Sequence, residues 1–297
     1  MNRFVINLIY FSLYLICIFL TIEFLCKKVA ITKDRVAWQY QELFKPKVKA
    51  DIVVLGTSKS IQGINPKQLE DKGITVYNFG LNGSNPEFIF SWYNKYFKKY
   101  YKKPKLILFE VSWLMFNEDW MFRRIEHDTR YFPLKEYCFE FVQTGNKSTA
   151  FFCRYHIFNR IVKDGSILDS TYHGYTPHPY EAKVIESLSD SICFNPNRQR
   201  YYFDLLLNSF KNDSVNVMFV MLPEKIDSAF LKYKYISKNI NYIEQRLNDY
   251  DFLNYHQEFK VDSVFQDWGH LNIIGARLIS QKIDKDLKAL NHNIVFR

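Results

Sequence analysis

Cysteine is scarce in this chain, and what there is neither pairs nor clusters. Of five cysteines, Cys17 and Cys26 lie in or at the end of an apolar N-terminal run, which leaves Cys138, Cys153 and Cys193 for the remainder. An odd number allows at most one disulfide there, and the spacings match no zinc signature, so these residues read as structural thiols. His173 and His178 stand in a Tyr/Pro/Gly-rich loop without clustered carboxylates, and neither a metal nor a cofactor is expected. No internal repeat and no low-complexity tract is present. The net charge is +9, yet no nucleic-acid-binding motif accompanies it. The Lys and Arg residues therefore read as a solvated basic surface first, and as attraction to anionic lipid or an anionic polymer second. A composition that is 47% hydrophobic and only 24% charged excludes a disordered protein.

What the chain does have is length, aromatics and one long uncharged stretch. At 297 residues it can bury a sizeable core. Aromatic residues reach 18%, which suits a carbohydrate groove or a membrane contact. From Phe4 to Ile22 no residue is charged. A helix of that length spans a bilayer core of about 30 Å at roughly 1.5 Å per residue. No small-x-small cleavage site follows, and Glu23-Phe24-Leu25-Cys26 lacks the small residues of a lipoprotein signal, so the run reads as a retained single-pass anchor. Lys27, Lys28, Lys33 and Arg35 follow it, against Arg3 and the α-amine before it. That bias alone places the C-terminal domain in the cytoplasm, although long domains translocate despite it.

Beyond the anchor (residues 1–28), residues 29–50 read as a membrane-proximal helix or linker and 51–297 as one α/β domain. Ile52–Leu55 is a continuous apolar run, the mark of a strand buried on both faces. Asn65-Pro66 starts a helix, and Ile74–Tyr77 is a second strand leading into the turn-rich loop Asn78–Pro86 and an aromatic helix through Tyr101. Strands follow at Leu106–Val111, which is apolar except for Glu110, at Val215–Leu222 and near Phe252–Tyr255. Helices are expected at Gln199–Lys211 and Leu271–Leu290. Strands separated by helices predict a parallel sheet covered on both faces, whose ligands gather at the carboxyl ends of the strands. Between residues 112 and 196 the alternation breaks, and this stretch reads as an insertion flanking the rim.

Two short segments carry candidate chemistry. Gly56-Thr57-Ser58 follows the first strand directly, so the Ser58 hydroxyl projects from a tight turn at the rim; Ser60 is the weaker candidate. A serine hydroxyl needs a neighbouring base to become a nucleophile. Asp267 and His270, three residues apart before the last helix, form such a base with its orienting carboxylate. Backbone N–H groups at Gly83 and Ser58 can meet a developing oxyanion, because glycine lets a backbone approach closely. Arg123, Arg124 and Trp113 are candidates for substrate contact; a solvated basic face is the plainer reading of the arginines.

Three blocks of this sequence resemble the SGNH (GDSL-type) hydrolase superfamily, especially its membrane-anchored branch that acts on bacterial cell-surface polysaccharides. They are Asp51-Ile-Val-Val-Leu-Gly-Thr-Ser58, Val76-Tyr-Asn-Phe-Gly-Leu-Asn-Gly83 and Asp267-Trp-Gly-His270-Leu-Asn-Ile-Ile-Gly275-Ala. The resemblance implies a three-layer flavodoxin-like parallel sheet, a Ser58-His270-Asp267 triad and an oxyanion hole built from Ser58 and Gly83. It implies an esterase or O-acyltransferase outside the cytoplasm, acting on an acylated polysaccharide or another cell-envelope ester, with a membrane acyltransferase or export machinery as partner. Two departures stand out. Thr57 replaces the Asp of Gly-Asp-Ser, and the family's Gly-x-Asn is absent where Phe109-Glu-Val-Ser-Trp113 follows the third strand. Ser112, or a loop asparagine such as Asn82 or Asn85, would have to replace that donor. Without a replacement, the chain would instead be a catalytically silent domain of the same fold that binds polysaccharide or scaffolds an export complex.

Overall fold

A computed structural model of the chain describes residues 3–33, 43, 48–70, 73–116, 172–177, 196–225 and 234–290. The chain divides into two units, Met1–Gln41 with Glu126–Leu168, and Glu42–Ile125 with Asp169–Arg297. In the first, the described element is helix α1, Arg3–Lys33. Its segment Arg3–Thr21 is long and apolar enough to cross a membrane, with a mean hydropathy of 2.3.

The second unit is a five-stranded parallel sheet. β1 (Ile52–Leu55), β2 (Val76–Asn78), β3 (Leu106–Glu110), β4 (Val217–Met221) and β5 (Asp251–Asn254) lie in the order β2-β1-β3-β4-β5. Every neighbouring pair is parallel, with Ile52 opposite both Val76 and Leu106. This is the flavodoxin-like order that the resemblance implied. The chain reverses its winding direction between β1 and β3, which opens a crevice beyond their carboxyl ends. β2 begins two residues later than expected because Thr75 is committed elsewhere: its N–H and its hydroxyl both donate to Asp51 Oδ2 at 3.0 Å.

Alternation along the strands gives the two faces different partners. One face presents Ile52, Val54, Leu106, Leu108, Met218 and Val220 to a largely aliphatic core. Helix α8 (Ile273–Ala289) closes that side with Ala276, Ile279, Ile283 and Leu287, a stripe spaced by three and four residues. Gly275 begins the stripe because a Cβ there would lie 2.2 Å from the Val264 carbonyl oxygen. The other face carries Phe109 and Phe219, which meet Phe203 and Phe210 of helix α6 (Pro196–Asn212) edge-on or stacked. Beside them helix α4 (Pro86–Trp92) runs through a π-helical turn, Tyr93–Phe97, into the short α5 (Lys98–Tyr100). Rings there pack in series from Phe79 through Trp92 and Phe97 to Tyr101. Short helices α2 (Ser58–Gly63) and α3 (Pro66–Leu69) follow β1, and α7 (Lys234–Arg246) precedes β5. Of the stretch expected to be an insertion, residues 112–116, 172–177 and 196 are described; residues 117–171 and 178–195 lie outside the described residues.

Candidate active site

The turn after β1 is shaped before any chemistry is considered. Gly56 has φ +148°, and a Cβ on it would come within 2.6 Å of Glu110 Oε2, so conformation and space both demand glycine. Thr57 then caps α2, its hydroxyl accepting from the Lys59 N–H. The Thr57 N–H and hydroxyl also donate to Glu110 Oε2, at 2.7 and 2.9 Å. Glu110, the exception in an otherwise apolar strand, thus clamps the turn from the end of β3. Ser58 is the first residue of α2, where an N–H has no carbonyl one turn behind it. Ser60 is fully buried and its hydroxyl donates to the Thr57 carbonyl at 2.7 Å, which takes it out of contention as the reacting serine.

The loop before α8 is organised by one carboxylate. Asp267 Oδ1 accepts the N–H groups of Gly269 and His270, at 2.8 and 2.9 Å. Both carboxylate oxygens also stand 2.9 Å from His270 Nδ1. Asn272 fixes the base of the loop, its Oδ1 capping α8 at Ile274 and Gly275 while its Nδ2 donates to the Ser263 carbonyl. A carboxylate only accepts, so Nδ1 carries the imidazole proton and Nε2 is left as the acceptor. Nε2 lies 2.8 Å from Ser58 Oγ. Burial by itself would raise the Asp267 carboxyl, but the hydrogen bond and charge of His270 and the two backbone N–H groups outweigh it and hold it below the usual carboxylate range.

Beneath this relay lies a group of buried charges that sequence reasoning missed. Lys59, next to Ser58, is ion-paired with Glu224 at the exit of β4, and both side chains are almost completely buried. Burial pushes the Lys59 ammonium down to about 7, against the upward pull of Glu110 and Asp267. Burial likewise raises the Glu110 carboxyl despite Lys59, the Thr57 donors and His270. His256, buried near the same lysine, is driven down to about 4 and is therefore neutral at physiological pH. Glu224 Oε2 accepts from Trp113 Nε1 at 2.6 Å, and the Trp113 ring stacks on Trp268 of the histidine loop at 6.0 Å. The Lys225 N–H donates to the Trp268 carbonyl. The exits of β1, β3 and β4 and the histidine loop are thereby tied together.

Above these ties a pocket opens, lined by Thr57, Ser58 and Lys59 after β1, Gly83, Ser84 and Asn85 after β2, Leu114 and Met115 after β3, and Trp268 and His270. The structure therefore brings Ser58, His270, Asp267 and Gly83 to one place. It does not bring Trp113, expected to touch substrate, which has no exposed surface because its indole nitrogen serves Glu224. Nor does it bring Ser112, whose buried hydroxyl donates to Glu224 at 3.4 Å and accepts from the Leu114 N–H. Asn82 is not among the residues that line the pocket. Arg123 and Arg124 lie outside the described residues. The signal that could have found Glu110 and Lys59 was their oddity, an acid inside a buried strand and a lysine beside the serine.

No protein-family model matches the chain, and no curated protein matches it. Among solved structures, it is similar to an acylhydrolase-designated protein from Bacteroides fragilis, at 12% identity over 86% of this chain and 95% of that one, with a TM-score of 0.41. A GDSL-like lipase from Bacteroides thetaiotaomicron is similar at 10% identity over 89% of this chain and 95% of that one, with a TM-score of 0.41. A family two carbohydrate esterase from Clostridium thermocellum, solved in complex with cellohexaose, is similar at 11% identity over 84% of this chain and 65% of that one, with a TM-score of 0.37.

Proposed function

We propose that this chain is a membrane-anchored serine esterase or O-acyltransferase of SGNH type, acting on an acylated cell-envelope or secreted polysaccharide. The observation that carries the reading is the unbroken relay from Asp267 through His270 to Ser58 at the mouth of a rim pocket. Ser58 Oγ forms a bond to the ester carbonyl carbon while its proton passes to His270 Nε2. The carbonyl π pair moves onto oxygen, where the N–H groups of Ser58 and Gly83 receive the charge. Collapse re-forms the carbonyl and breaks the bond to the alcohol oxygen, which leaves with the proton held on Nε2. Asp267 stabilises the imidazolium between these steps without becoming protonated. A water or a sugar hydroxyl then repeats the sequence in reverse and frees the serine. Hydrolase and transferase differ only in that last acceptor.

The anchoring is supported by the apolar stretch of α1, and the placement of the domain outside the cytoplasm follows from the reading of its substrate. The test uses the full chain in detergent. Wild type hydrolyses p-nitrophenyl acetate, and Ser58→Ala lowers kcat by roughly 10⁴- to 10⁶-fold with an unchanged thermal midpoint. Wild-type rates in Ser58→Ala would remove the assignment. Adding an oligosaccharide acceptor and weighing it afterwards separates transfer from hydrolysis. A reporter fused after Arg297 that is active only in the cytoplasm would refute the placement.

A further inference from the structure

The mechanism above gives the developing oxyanion two backbone donors and no side-chain donor. We propose that Asn85 is a catalytic residue that supplies this third donor through its amide nitrogen. The inference rests on the serine-esterase reading and names the residue that stands in for the missing Gly-x-Asn.

The argument starts from the helix that Asn85 caps. Its backbone is extended, with φ −130° and ψ 170°, and its Oδ1 accepts the Phe88 N–H at 3.0 Å. Of the two ends of a primary amide only the oxygen accepts, so this bond fixes which end is which. Nδ2, with its two N–H groups, is turned away from the helix. Among the described residues it has no hydrogen-bond partner, although Asn85 is only 4% exposed. Nδ2 is not among the unpartnered polar atoms sealed from solvent, so it keeps a small accessible surface and can donate to an acceptor that arrives with the ligand. Asn85 lines the same pocket as Ser58, Gly83 and His270. The rival replacements fit less well, since Asn82 does not line that pocket and the Ser112 hydroxyl is turned to Glu224.

The chemistry asks only for a donor held still. When the Ser58 Oγ–carbon bond forms and the π pair moves to the carbonyl oxygen, Nδ2–H donates to that oxygen and keeps its proton. The amide cannot swing aside without breaking the helix cap, so little is reorganised when charge appears. One side chain thus serves two ends: oxygen for the helix, nitrogen for the reaction.

That double duty supplies the test, because serine and aspartate also cap helices whereas alanine does not. In the full chain in detergent, Asn85→Ser is expected to lower kcat for p-nitrophenyl acetate by about 10²- to 10³-fold, with KM within about threefold of wild type and the thermal midpoint held. Asn85→Asp caps equally well but sets a negative charge beside the oxyanion, so its kcat falls at least as far. Asn85→Ala loses both kcat and thermal midpoint. Affinity for phenylboronic acid, whose serine adduct carries the tetrahedral charge, falls in step with kcat. Full kcat in Asn85→Ser, with damage confined to the alanine variant, would make Asn85 a helix cap only and overturn the proposal. Ser58→Ala, run in the same series, keeps the two readings apart: activity that survives it overturns the serine-esterase reading and this inference together.

Discussion

The two ends of the sheet handle charge in opposite ways. At the amino end, Asp51 accepts from Thr75 and pairs with Lys105 at 3.3 Å, all of it in contact with solvent. At the carboxyl end, Lys59, Glu224 and Glu110 are sealed from solvent under the serine turn and the histidine loop. Exposed pairs contribute little to stability, whereas buried charges cost several kcal/mol each to desolvate and are only partly repaid by their partners. A chain selected for stability alone gains nothing by burying Lys59. What the buried charges provide is register between the segments that leave the strand ends, beyond the last ladder bonds. Glu110 holds the turn that presents Ser58, and Glu224 joins Lys59 to the tryptophan under Trp268.

The sharpest break in this comparison comes at Asp267. In Asp267→Asn the side-chain oxygen can keep the Gly269 and His270 N–H bonds, but the new NH₂ then faces His270 Nδ1 and forces the proton onto Nε2. That tautomer cannot accept from Ser58, and kcat is expected to fall by about 10⁴-fold at neutral pH while the fold survives. Next in size is Lys59→Met. It leaves buried carboxylates without their cation, and urea unfolding should show a loss of about 3–5 kcal/mol. The double variant Lys59→Met/Glu224→Met should recover much of that stability yet not the activity, and full recovery of activity would show that the pair sets no loop geometry. Asp51→Asn is the smallest change, about 0–1 kcal/mol and no change in kcat. Burial opposes the shift there, but the Thr75 and Lys105 bonds hold the Asp51 carboxyl below its ordinary value. A depressed carboxyl contributes stability above its unfolded pKa and loses it as pH falls through the folded value. Wild-type and Asp51→Asn stabilities should therefore differ at pH 6 and converge at acid pH.

Legibility in the sequence divides along the same line. Ile52–Leu55 and Leu106–Glu110 announce themselves because strands buried on both faces need apolar runs, which Glu110 alone interrupts. Asp267 and His270 were readable because they sit three residues apart and act through local geometry. Helix α7 was missed: its buried apolar side, Ile236 and Ile243, is thin among charged and amide residues. Trp113 and Ser112 were assigned to substrate and oxyanion because both follow a strand end. That position told nothing of Glu224, more than a hundred residues away, which claims both side chains. Glu110 had the same disguise, since its partner Thr57 lies 53 residues back and nothing local marks the contact. Contacts within one turn of chain leave a pattern, and ion pairs between distant loops leave only a residue that looks out of place.

The hydrogen bond between Ser58 and His270 spans 212 residues of chain. During synthesis at roughly 5–20 residues per second, the serine turn therefore waits about 10–40 s for its base. Throughout that interval the nascent polypeptide carries an inert alcohol. Any product that terminates before the histidine loop is equally harmless to nearby esters. Under the proposed mechanism, chain order works as a timer that delays reactivity until the histidine loop has been made.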